Sequence, residues 1–153
     1  METIDLEKVV HKELMIINSE ASSKKEVLEN LSDLLLQHEY ISDKSQFLID
    51  LYDREAEGET GIGQGIAIPH GKSKAVLNTT VAVAILNNEI EWETLDGKGV
   101  NVVIMFAVKD SDINTTHILL LQKIAVLLAK DTFTEDIKKV SSVEEVYDLF
   151  MNN

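Results

Sequence analysis

Residues 100–108, "VNVVIMFAV", carry one polar side chain in nine. A strand with one wet face alternates in polarity, whereas a run apolar at both parities is buried on both faces. Such a strand needs a covering layer on each side, and helical patterns lie both before and after it. "SSKKEVLENLSDLLLQHEY" (22–40) opens with Ser23 and Glu26 at capping-box spacing, then repeats Val27, Leu28, Leu31, Leu34 and Leu35 at helical intervals. "SDKSQFLIDLYDREAEG" (42–58) does the same from Asp43, with Phe47, Leu48, Leu51 and Tyr52 expected inward and Gly58 at its end. Downstream, "THILLLQKIAVLLAK" sets Leu120, Leu121, Ile124, Leu127 and Leu128 on one stripe. "TFTEDIKKV" and "SVEEVYDLFMNN" add two short helical patterns. "ELMIINSE" and "GIAIPH" read as short strands. "NTTVAVAILNNEIEW" reads as a strand turning at Asn87-Asn88 into a second strand start. The expected fold is α/β: a three-layer α/β/α domain, residues 1–153, with a small mixed β-sheet flanked by helices.

Composition narrows the function classes. A chain of 153 residues without cysteine has no disulfide framework, no thiolate metal site and no cysteine nucleophile, and its length suffices for a core without such staples. A net charge of −13 opposes binding to nucleic acid or to an anionic membrane, while a basic protein partner would be welcome. No apolar run approaches the length of roughly 20 residues that crosses a bilayer. The acidic start, "METIDLEKVVHKEL", lacks the basic flank and apolar core of a signal peptide. The expected location is cytoplasmic.

The stretch "GIGQGIAIPHGKS", residues 61–73, concentrates four glycines, three of them at alternate positions, with the only proline and a histidine. As a phosphate loop of the G-x-x-x-x-G-K-[ST] type it fails, because five residues separate Gly65 from Gly71 and one is Pro69, which has no N–H to donate. As a dinucleotide fingerprint it also fails, since Ile66 and Ile68 stand where glycine is required. Two readings remain. His70 is a turn residue beside a proline, or Pro69 fixes the chain and the glycines make room for one presented imidazole. An imidazole with a pKa near 6.5 offers a neutral lone pair at pH 7, suited to taking and releasing a phosphoryl group.

A phosphoryl group needs positive or donor partners. Arg54 is the chain's sole arginine and lies at the edge of its helix's apolar face; otherwise it would be a helix-end cation near Glu55 and Glu57. His117 falls in the first turn of the helix that begins near Thr115 or Thr116, where unsatisfied N–H groups favour an anion, and 117, 121, 124 spacing turns it inward. Trp92 reads as a core or sheet-edge residue, and His11 and His38 as surface residues.

These residues resemble a known family. "REAEGETGIGQGIAIPHGKS" is similar to the active-site signature of enzyme IIA domains of the bacterial phosphoenolpyruvate–sugar phosphotransferase system. The class is the fructose/mannitol one, which includes nitrogen-regulatory members. "IEWETLDGKGVNVVIMFAV", "THILLLQKIAVLLAKDTFTEDI" and "SVEEVYDLF" extend the likeness over nearly the whole chain. The sequence departs from the family at Lys109, where proline is common. The resemblance implies that His70 is the phosphorylated nucleophile, receiving its group from the carrier protein HPr and passing it to a IIB domain. It implies that Arg54 and His117 assist the phosphoryl group, and that no metal or cofactor takes part. Competing expectations are a nitrogen-regulatory type of IIA protein, whose phosphorylation state controls a partner by binding, and a non-catalytic relative that carries no phosphate.

Overall fold

A computed structural model describes residues 5–112 and 115–152. Six strands and five α-helices are β1 (Val10–Ser19), α1 (Lys24–Gln37), α2 (Lys44–Glu55), β2 (Gly61–Gly63), β3 (Ile66–Ala67), β4 (His70–Ser73), β5 (Thr80–Ile90), β6 (Val100–Lys109), α3 (Thr116–Leu128), α4 (Asp131–Asp136) and α5 (Val143–Met151). β6 lies at the centre of a mixed sheet ordered β1-β5-β6-β3-β2. It pairs antiparallel with β5 along one edge and parallel with both β3 and β4 along the other.

The two parities of β6 separate two cores, as its composition requires. Val103, Met105 and Ala107 pack with Leu28, Leu31, Leu35, Phe47 and Leu51 beneath α1 and α2. Val102, Ile104, Phe106 and Val108 pack with Leu120, Ile124, Leu127, Phe133, Val146 and Phe150 beneath α3, α4 and α5. The fold is therefore the expected three-layer α/β/α arrangement. Local signals hold as well: the side chains of Ser23, Asp43 and Ser142 accept from the N–H groups of Glu26, Gln46 and Glu145.

Four expectations are revised. The first strand runs ten residues, because Val10 lines the lower core and pairs with Val81 well before "ELMIINSE" begins. β5 does not turn at Asn87-Asn88; it continues to Ile90, and a register shift between Ile85 and Ile90 absorbs the polar pair as an irregularity. "GIAIPH" is not one strand: Ile68 and Pro69 interrupt it, dividing β3 from β4. Tyr52 and Leu121 lie at the exposed margins of their stripes, outside the cores. Residues 1–4 of the expected domain, and residues 113–114 of the polar segment before α3, lie outside the described residues.

Gly71 sets the closeness of α2 to β4. A Cβ at that position would run into the Phe47 ring, so glycine lets the buried aromatic rest against the strand backbone. Gly71→Ala is expected to cost about 1–3 kcal/mol, the usual cost of overpacking a filled interior, as measured by urea unfolding. Adding Phe47→Leu should recover part of that loss; a fully additive double variant would mean that the two sites do not meet.

Candidate functional site

Register delivers the first site residue. His70 sits opposite Phe106 of β6, Gly71 opposite Ala107 and Lys72 opposite Val108. Side chains alternate along a strand, so His70 and Lys72 share the parity of Phe106 and face α3, while Gly71 faces α2. His117, in the first turn of α3, meets His70 there. The two imidazole centroids are 5.3 Å apart with ring planes at 78°, and Phe106 lies 5.0 Å from His70 and 6.3 Å from His117. The histidine pair thus rests on a fully buried aromatic.

α3 starts without help from a cap. Thr115, at the N-cap position, makes no side-chain hydrogen bond to the first turn. The N–H groups around His117 keep their partial positive charge for an external acceptor.

Arg54 lies in the last turn of α2, in the opposite helical layer, and its positive charge acts on His70. Its Nη1 donates to the carbonyl of Gly58 at 3.4 Å. It forms no ion pair with Glu55, whose carboxylate is engaged elsewhere.

Burial is the chief reason why the His70 imidazole is held at a pKa of about 4; His117, Arg54 and, least, Lys72 lower it further, while the Ile68 backbone works the other way. His117 is also lowered, by burial and then by Lys72. Both rings are neutral at pH 7. His70 Nδ1 and His117 Nε2 are buried with no hydrogen-bond partner among the described residues.

Of the three expected site residues, His70 and His117 are in ring contact, and the charge of Arg54 lowers the His70 pKa. Lys72 escaped the sequence reading. Weighed as the lysine of a nucleotide loop it fails on spacing, but two residues beyond His70 on a strand it shares the histidine's face. Phe106 was hidden in an apolar run, where nothing separates one core residue from another. Trp92 is buried, and its Nε1 donates to Thr60 Oγ1 at 2.9 Å. His38 is exposed as expected, while His11 is half-buried, 5.3 Å from the ring of Tyr40. Among the described residues no group of three or more His, Asp or Glu side chains is placed to hold a metal ion. No described helix is long and apolar enough to cross a membrane.

The site thus sets a neutral histidine against a second histidine, with Arg54 and Lys72 adding positive charge. Residues 8–153 match the family described as "Phosphoenolpyruvate-dependent sugar phosphotransferase system, EIIA 2", and the chain belongs to that family. It is 33% identical over 144 residues to the 2-O-alpha-mannosyl-D-glycerate-specific EIIABC component of Escherichia coli, a match covering 94% of this chain and 22% of that protein's length. It is 32% identical to a nitrogen regulatory protein of Klebsiella oxytoca, covering 95% of this chain and 90% of the relative. The crystal structure of the nitrogen regulatory protein IIA-Ntr from Neisseria meningitidis superposes with a TM-score of 0.85 at 29% identity, covering 93% and 96% of the two chains.

The opposed contributions at the site predict how its rings take up protons. In an NMR titration the His70 ring should stay neutral through pH 5, with a midpoint near 4. Lys72→Met should raise the midpoints of both histidines, and Arg54→Met that of His70 alone. Because folded pKa values lie below the ordinary 6.5, the unfolded chain binds more protons in the window from 6.5 down to about 4. Stability contributed by the site is full above pH 6.5 and falls as pH drops through that window. An ordinary midpoint near 6.5 for His70 in the folded protein would sink this account.

Proposed function

We propose that this chain is a phosphocarrier IIA component of a sugar phosphotransferase system. The observation that carries the reading is the neutral, half-buried His70 held between His117, Lys72 and Arg54. In the forward step the Nε2 lone pair of His70 attacks the phosphorus of phosphohistidine on HPr. The P–N bond to the carrier breaks as the new one forms, and its electron pair returns to the carrier's imidazole. In the second step a cysteine thiolate of a IIB domain attacks the same phosphorus, the P–N bond to His70 breaks, and the ring regains its lone pair. Family membership supports this order of partners, as does the name of the Escherichia coli relative, which joins A, B and C components in one protein.

Each neighbour has a role set by charge. Arg54 and Lys72 face the phosphoryl oxygens, whose negative charge persists throughout the transfer. His117, at an uncapped helix start, adds a donor on the far side of the reacting ring. Phe106 keeps water from the buried nitrogen, so the ring cannot relax by solvating both nitrogens at once. None of this calls for a metal or a nucleotide.

A second reading is favoured by the likeness to nitrogen regulatory proteins. There the same phosphorylation of His70 would alter binding to a regulatory partner, with no onward transfer to sugar. Transfer to a IIB domain separates the two.

Incubation with phosphoenolpyruvate, enzyme I and HPr should add one acid-labile phosphate, seen in the intact mass, and His70→Ala should add none. Arg54→Ala should slow its formation on the order of 10²-fold, the scale of one lost charge-stabilising donor in a preorganised site. A folded wild-type protein that takes no phosphate would overturn the phosphocarrier reading.

A further inference from the structure

We propose that Glu55 is a positioning residue for phosphoryl transfer, holding the turn that carries Arg54 against the segment that leads to His70; the proposal rests on the phosphocarrier reading. Arg54 makes one long hydrogen bond of its own, to the Gly58 carbonyl at 3.4 Å. A guanidinium so loosely held owes its place to the backbone beneath it. Glu55, the next residue and the last of α2, supplies the anchor that Arg54 lacks.

The Glu55 side chain turns inward and is only 6% exposed. Its Oε1 meets Lys24 Nζ at 2.5 Å and accepts from the Thr60 hydroxyl at 2.9 Å. Thr60 Oγ1 in turn accepts from Trp92 Nε1 at 2.9 Å, and the Thr60 carbonyl accepts from the Ile68 N–H at 2.9 Å, two residues before His70. Lys24 Nζ also reaches Glu93 Oε1 at 3.0 Å and lies 5.0 Å from the Trp92 ring centre. The Glu93 carbonyl accepts from the Gly61 N–H at 3.0 Å. The starts of α1 and β2, the end of α2 and the loop after β5 are thus tied to a single carboxylate.

That carboxylate is a poor device for stability alone. Its Oε2 is buried with no hydrogen-bond partner among the described residues. Enclosing a charge costs about as much as its pairing returns when the remaining lone pairs are unsatisfied. What the arrangement does supply is geometry, since one rigid carboxylate fixes the position of Arg54 relative to the strand bearing the nucleophile.

The proposal is tested by a double-mutant cycle on the full chain, with phospho-HPr as donor. Glu55→Gln should lower kcat for His70 phosphorylation roughly ten- to hundred-fold with little change in KM, the penalty for a small misplacement of a reacting group's partner. In an Arg54→Ala background the same change should cost less than about twofold, because residues that act through one another are not additive. A second readout needs no phosphate donor. Losing the Glu55 charge would by itself lower the His70 midpoint in an NMR titration, whereas displacing Arg54 raises it, and a rise is expected. Wild-type kcat in Glu55→Gln, full additivity with Arg54→Ala, or a lowered midpoint would each overturn the positioning role. If Glu55→Gln does not fold, Thr60→Val removes the bridging hydroxyl and is read by the same criteria. A wild-type protein that accepts no phosphate removes the reading on which the proposal rests, and that result appears before any variant is compared.

Discussion

Beside Phe106, the parallel register of β4 against β6 decides which side chains of the A-I-P-H-G-K stretch face which helical layer. Shifted by one residue, His70 would point at Phe47 and Gly71 at His117, and neither packing nor chemistry would survive. The register is secured from both faces of the sheet. On one side Gly71 admits the Phe47 ring against the backbone; on the other Phe106 receives the imidazole at 5.0 Å. Pro69 contributes from just before the strand: its carbonyl accepts from the Phe106 N–H at 2.9 Å, so a residue unable to donate still anchors the segment by accepting.

From that placement the electrostatics follow. Arg54 and Lys72 lie within a sequence of net charge −13, and both lower the proton affinity of His70. A proton and a phosphoryl group make opposite demands on the same cations. The field that repels H⁺ from the imidazole attracts the oxygens of a phosphoryl group, so the ring is kept as a free nucleophile by the groups that would stabilise its product. Burial adds to this, because a low-dielectric surround strengthens each charge's effect and disfavours the protonated ring. His117 shares the condition: burial and then Lys72 lower its proton affinity as well.

The layered fold was legible because it is written in redundant signals. The parity-independent apolar run of β6, three side-chain caps and two helical stripes each report locally on the same architecture. Polarity alone misled at Asn87-Asn88, where an irregular register absorbs what reads as a turn. His70, His117 and Arg54 stood out as rare residues in marked positions, yet the ring contact of the two histidines depends on β4 pairing with β6, which no local pattern encodes. Lys72 and Glu55 were harder. A lysine after a glycine invites comparison with nucleotide loops, and a glutamate at a helix end resembles any solvated carboxylate. Only the inward turn of α2's last residue toward Lys24 and Thr60 distinguishes Glu55 from Glu57 beside it.

Unsatisfied polar atoms mark where folding and function diverge. Four buried side-chain atoms lack a partner among the described residues, and three belong to His70, His117 and Glu55. Buried polar groups are nearly always paired, so their clustering within one region asks for a reason. For the histidines the proposed phosphocarrier role offers one: reactivity. For Glu55 the proposed reason is placement: one oxygen meets both Lys24 and Thr60, and the second is enclosed as a consequence. Stability forgone at these atoms is recovered by the two apolar cores on either side of β6, which need nothing from the site to form. A fold whose central strand is apolar at every position but two, Asn101 and Lys109, can carry such a region at its edge, where β4 has no further neighbour among the described strands.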